Sequence, residues 1–247
     1  MSRKSKNRQC LNCGSEVSGN FCSECGQSIE THRFHIRHIF IHDFLKKVFY
    51  YDKGLFYSIK ELYTRPGHSV REYIDGKRVN HLHFFSLLIV VIILFKLIEN
   101  WTTFHYSDLT TTDKERIDFF EEWLKHHAKL FYISLIPIYA LSTFLIFKKA
   151  ALNYAEHFVT NTFRSAALLL ITITFLILAS FIKDSSVLST INHITSLIML
   201  GYGIWFYYQF FSQYYSNKFE LLIRIIISIA LPLFIMMVCL ALYLRYR

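Results

Sequence analysis

FSLLIVVIILF, residues 85–95, is the stretch that decides the fold. It contains one hydroxyl and no charge, so a helix built from it has no polar face to turn to water. LLLITITFLIL at 168–178 repeats the pattern. Working outward, apolar runs lie at 83–101, 130–147, 164–182, 191–211 and 222–244, each close to the ~20 residues that cross a bilayer. The expectation is an all-α integral membrane protein with about five transmembrane helices, its bundle occupying residues 82–247. Pro137 and Pro232 fall inside the second and fifth runs, where neighbouring helices or Ser/Thr hydroxyls can satisfy the freed carbonyls. Composition agrees: 53% of residues are hydrophobic and 18% charged, against ~25% charged in ordinary soluble domains.

Charge sets the expected orientation. Of 27 Lys and Arg, 14 precede the first run. The next loop, 102–129, is acidic through Asp108, Asp113, Glu115, Asp118, Glu121 and Glu122. Lys148, Lys149 and Arg164 mark the following loop, and Lys218 and Arg224 the fourth. Positive loops face the cytoplasm, so the amino terminus is expected inside and, after five crossings, the carboxyl terminus outside. Arg245 and Arg247 oppose that rule. Met1–Gln9 is basic but leads into no apolar core, so no secretory signal is expected. The basic region and anionic lipid account for the net charge of +9 without a nucleic acid partner.

A different chemistry stands in front. CLNCGSEVSGNFCSECGQ, residues 10–27, spaces Cys10, Cys13, Cys22 and Cys25 as C-x2-C-x8-C-x2-C. Two residues between cysteines let one turn present both sulfurs to one metal, and two such turns complete a tetrahedral shell. Gly14 and Gly26 can take positive φ after each pair, and Phe21 is expected to pack beneath the second turn. Arg3, Lys4, Lys6 and Arg8 can offset the charge of four thiolates. Two disulfides are the alternative, opposed by a reducing cytoplasm; a redox pair would open a helix in a βαβ unit, and none is visible. Residues 1–30 therefore read as a ribbon holding structural Zn2+ through Cys10, Cys13, Cys22 and Cys25. A closed thiolate shell folds the module and leaves no position for catalysis. Cys239, in the last run, reads as a packing residue. The stretch resembles the short zinc ribbons, CxxCG…FCxxCG, that head many bacterial membrane proteins; that resemblance implies contact with a partner protein.

Residues 31–81 join ribbon to membrane as amphipathic, interfacial helices. FHIRHIFIHDFLKKVFYY (34–51) mixes bulky apolar groups with Lys46 and Lys47, which suits a membrane interface. Asp52-Lys53-Gly54 breaks it. A second helix, about 55–64, ends at Arg65-Pro66-Gly67. A capping box of Ser69 and Glu72 is expected to open a third, which closes at Asp75-Gly76.

The block DKGLFYSIKELYTRPGHSVREYIDGKRVNHLHFFSLL (52–88), with its D-K-G turn, T-R-P-G-H break and R-E-Y-I-D-G-K-R entry to the first run, resembles a bacterial membrane family, domain-of-unknown-function family 3667. The resemblance covers about residues 10–100; beyond them only hydropathy is similar. It implies an integral membrane protein of a bacterial inner membrane with an amino-terminal ribbon, and it brings no activity or site residues.

Other candidates are weaker. His32, His35, His38 and His42 would form a helical stripe able to bind metal or respond to pH, but an interfacial or packing role fits it better. Glu122 and His126, four apart on an expected helix about 112–129, have metal spacing that a solvated face also produces. LGYGIWF (200–206) matches a potassium filter only in a tripeptide, and Gly201 and Gly203 read as points of close helix approach. FYYQFFSQYY (206–215) reads as an aromatic interfacial belt or a docking surface. Ionisable residues deep in the runs are scarce: Lys96 and Glu99 sit near the end of the first, Arg224 near the start of the fifth, and His193 opens the fourth. Hydrolase elbows, phosphate loops and HExxH are absent. The expectation is a non-enzymatic interaction or scaffold protein whose partners are the bilayer, a protein met through the ribbon, and further copies of itself. An oligomeric transporter or channel for a small solute, ion or lipid is the alternative.

Overall fold

A computed structural model describes residues 9–29, 31, 33–36, 54–102, 134–182 and 184–246, with side chains as far as residue 238. Among these residues the fold is all-helical, with no strands and the four-cysteine ribbon in front. The helices are α1 (Leu55–Thr64), α2 (Pro66–Asp75), α3 (Phe84–Trp101), α4 (Ser134–Ile146), α5 (Tyr154–Ala179), α6 (Ser185–Phe211) and α7 (Lys218–Tyr246). α3, α5, α6 and α7 are long and apolar enough to cross a bilayer, and α4 is a shorter apolar helix. The expected helices at 34–51 and about 112–129 lie outside the described residues.

Paired contacts give the helix directions. Phe85 meets Phe158 and Thr102 meets Ser180, so α3 and α5 run parallel. Tyr139 meets Arg164 while Thr143 meets His157, so α4 runs against α5. Ser142 and Ile146 meet Ser228 and Arg224, so α7 runs against α4. The connections 147–153 and 212–217 therefore share the end of the bundle that carries the ribbon.

α5 is the central helix, buried over most of its length. It starts ten residues ahead of its apolar run, behind a full capping box in which Asn153 and Glu156 each bond the other's backbone N–H. Its first turns carry Glu156, His157, Thr160, Asn161 and Thr162, all buried. Polar groups are tolerated there because Thr160 and Thr162 donate to carbonyls four residues back, His157 and Asn161 meet Thr143 of α4, and Glu156 accepts from Arg33.

α1 and α2 form a hairpin packed on this same end. α1 ends where Arg65 precedes proline, as expected. α2 then starts at once, with Pro66 in its first turn, and not at Ser69. Proline supplies a helical φ and lacks only an N–H that would go unused there. Ser69 and Glu72 thus lie inside the helix: Glu72 pairs with Arg65, and the Ser69 hydroxyl is 3.4 Å from His81 Nε2. Gly76 closes α2 at φ +118°. Arg71 donates to the carbonyls of Gln209 (2.8 Å) and Phe210 (3.1 Å), and the Tyr202 hydroxyl donates to Leu62 O (2.8 Å). Phe206, Tyr207, Phe210 and Phe211 are fully buried; the expected aromatic belt is core, with Phe211 stacked on Phe147 at 3.7 Å between centroids.

His81, between α2 and α3, is walled in by Tyr57, Tyr73 and Phe163. Burial, helped by Arg65 and opposed by Glu61 and Glu72, lowers its pKa from 6.5 to about 4. A histidine harder to protonate when folded leaves stability intact above pH 6.5 and removes it as pH falls towards 4. The loss is about 2 kcal/mol by pH 5. The melting midpoint in detergent should therefore fall further between pH 7 and 5 in wild type than in His81→Gln; equal falls would refute this assignment.

Candidate metal centre

Each Cys-x-x-Cys pair builds one knuckle. Gly14 N donates to Cys10 O and Gly26 N to Cys22 O, both at 2.9 Å. The glycines take φ +80° and +75°, the region a residue without Cβ enters freely. Isolated bridges pair Gln9 with Glu16 and Phe21 with Ser28, closing each turn the same way. The two turns then face each other. Cys10 Sγ lies 3.5 Å from Cys25 Sγ, Cys13 Sγ lies 3.5 Å from Cys22 Sγ, and all four sulfurs fall within 4.8 Å. A tetrahedral ion with sulfurs at ~2.3 Å separates them by ~3.8 Å. The four cysteines, none in a disulfide, can hold one metal ion.

The thiols are unequal without metal. Hydrogen bonds from Ser15, chiefly its hydroxyl, lower Cys13 from 9.0 to about 6, while burial pushes Cys25 up to about 12. An incoming cation must displace the Cys25 proton, so metal uptake weakens as pH falls.

Phe21 does not pack beneath the second turn. It is 66% exposed, and Val17 fills the ribbon interior with Cys10 and Cys22.

The ribbon is fastened to the helices. Gln27, directly after the second knuckle, donates from Nε2 to Gly76 O (2.8 Å) and accepts from Arg78 N (3.2 Å). Leu11 packs against Gly76, where a Cβ would come within 2.9 Å of it. Downstream, Arg33 forks onto Glu156 with bonds of 2.6 and 2.7 Å, and its Nη2 also reaches Ala151 O. Phe34 is buried against Tyr73 and Phe84, with the Arg78 guanidinium 3.9 Å above its ring.

The remaining candidates are dispersed. His35 and His193 are exposed. His32, His38, His42, Glu122 and His126 lie outside the described residues, as does the Cys239 side chain. Lys96 pairs with Glu99, and Arg224 bonds Glu220 and Ile146 O. Gly201 and Gly203 sit within the continuous helix α6; only Gly203 makes a close approach, towards Arg164.

One polar group escaped the sequence reading. His157 Nδ1 and Asn161 Nδ2 both reach Thr143 Oγ1, and the Tyr207 hydroxyl donates to Asn161 Oδ1 at 2.6 Å. Arg164, expected in a loop, is buried inside α5 one turn further on. N-x-x-E at 153–156 was the available signal, since a helix starting there carries residues 157–164 into the bundle.

No curated protein and no solved structure matches the chain. Residues 52–95 match the model of the family described as a protein of unknown function, DUF3667. That segment contains the α1–α2 hairpin, the Gln27 docking point and the first two-thirds of α3, and it is the part of the chain that is similar to this family.

Proposed function

We propose that this is a non-enzymatic interaction protein of a bacterial inner membrane, its amino terminus cytoplasmic and its ribbon folded by structural Zn2+. Four thiolates in a closed shell favour zinc among common divalent ions. The concentration of Arg65, Arg71, Lys77, Arg78, Lys148, Lys149, Lys218 and Arg224 at the ribbon end supports the orientation. The Gln27 clamp carries the functional reading: it makes the ribbon a fixed cap, so Phe21 is presented at a set position. A rigid exposed aromatic is an economical anchor for a protein partner.

A photo-crosslinking residue at position 21, used in intact membranes, tests this. A discrete protein adduct that disappears on Cys22→Ser/Cys25→Ser, and that the same probe at position 56 does not form, supports the platform. Absence of any adduct specific to position 21 removes it. The polar group around Asn161 favours a second reading, an oligomeric transporter or channel, which predicts solute flux in proteoliposomes irrespective of Phe21.

A further inference from the structure

α1 turns one narrow face away from the protein. Phe56 is 81% exposed and Tyr63 46%, and Lys60 between them is exposed as well. Spacings of four and three put all three on one stripe of the helix, opposite the buried Ser58 and Leu62. Among the described residues no carboxylate pairs with Lys60, since Glu61 and Glu72 are held by Arg65.

The apolar helices fix where this stripe lies. Leu82 N, just ahead of α3, donates to Ser58 Oγ at 2.8 Å, and the Tyr202 hydroxyl of α6 donates to Leu62 O at 2.8 Å. Both ends of α1 therefore stand beside the ribbon-side ends of long apolar helices. Tyr202 also meets Trp205, an exposed ring 5.8 Å away between centroids. At the other end of the bundle Trp101 and Phe181 form a second exposed aromatic pair, 6.5 Å apart. From its Asp184 cap, close after Phe181, to Trp205 the continuous α6 rises ~31 Å, which matches a hydrocarbon core of ~30 Å. Trp and Tyr collect at the two faces of such a layer, and the two aromatic bands have that separation. α1 belongs to the ribbon-side band.

We propose that the Phe56–Lys60–Tyr63 face of α1 is a phospholipid-binding surface. Phe56 and Tyr63 enter the boundary between headgroups and acyl chains of the ribbon-side leaflet, and Lys60 takes a headgroup phosphate between them. Its stem lies along the chains while its ammonium reaches the phosphate. Gly76, at the end of the same hairpin, accepts from Gln27, so α1 and α2 tie the ribbon to the lipid surface. The proposal rests on the long helices spanning the bilayer and is independent of partner binding at Phe21.

The test places benzoylphenylalanine at position 56 or 63 of the full-length, zinc-loaded chain in vesicles of phosphatidylcholine and phosphatidylglycerol. After irradiation the mass of the protein is read. Position 97, an exposed leucine of α3, is the lipid-facing reference, and position 24, an exposed ribbon residue, is the comparison. Phospholipid adducts are expected at 56, 63 and 97 and not at 24. Lys60→Glu should lower the yields at 56 and 63 about fivefold and leave position 97 unchanged. An adduct at 97 with none at 56 or 63 overturns the proposal. So does a crosslink from 56 to a second copy or to residues 37–53, because protein then covers the face. Equal yields at 24 and 56, or no effect of Lys60→Glu, also overturn it. Absence of an adduct at 97 as well overturns it together with the spanning assignment on which it rests.

Discussion

Replacing Cys22 and Cys25 together with serine is expected to take the metal content of the purified protein from about one zinc per chain to none, read by elemental mass spectrometry. Two of four ligands are lost, and structural sites of this kind supply ~10–16 kcal/mol of apparent binding energy that is also folding energy. The ribbon has little else to hold it. Its buried apolar residues are Cys10, Val17 and Cys22, with Cys25 and Ile29 packed beside them, too few to stabilise so short a segment. Residues 9–29 should become protease-sensitive, and the bonds from Gln27 to Gly76 and Arg78 should go with them. The bundle should survive with a modestly lower melting midpoint, because its core contains no ribbon residue. A chelator on wild type should reproduce both effects, more readily as pH falls and the thiol of Cys25 competes for its proton. Retention of a full zinc equivalent in the double mutant would show that these sulfurs do not hold the metal.

Gly67→Ala should separate the α1–α2 hairpin from the bundle. A Cβ at Gly67 would lie 2.3 Å from Phe206 O, 2.5 Å from Phe210 N and 2.6 Å from Gln209 Cβ. Two of these are backbone atoms of α6, which cannot rotate away, so α2 must move bodily. Overpacking of a fitted interface costs about 1–3 kcal/mol where side chains can adjust, and this site belongs at or above the upper end. The displacement also strains the bond from Gly67 N to Gln209 Oε1 and those from Arg71 to the α6 carbonyls. Gly201→Ala is the control, since nothing lies within 4 Å of a Cβ there. Thermal unfolding in detergent should drop by many degrees for Gly67→Ala and little for Gly201→Ala. Similar midpoints would mean that α2 does not cross α6 this closely.

Local sequence determined the features whose cause is local. An apolar run such as 85–95 needs no knowledge of its neighbours to exclude a polar helix face. Two Cys-x-x-Cys-Gly turns specify their own backbone, because the glycine must enter positive φ and the cysteines must share a side. The breaks at Arg65-Pro66 and Asp75-Gly76 follow from steric rules spanning two residues. Tertiary structure decided whatever depends on segments meeting from afar. Gln27 finds Gly76 and Arg78, Arg33 finds Glu156, and Gly67 finds Phe206, across separations of about 50 to 140 residues that no local periodicity records. The same reason governs the misread positions. Aromatic residues at 206–211 look alike to a hydropathy window whether lipid or α2 covers them. Arg164 looks like a loop cation until α5 is seen to begin at Tyr154, behind the Asn153 cap, which carries it among Tyr139, Tyr207 and Gly203. Burial belongs to the assembled bundle, and charge or polarity alone does not disclose it.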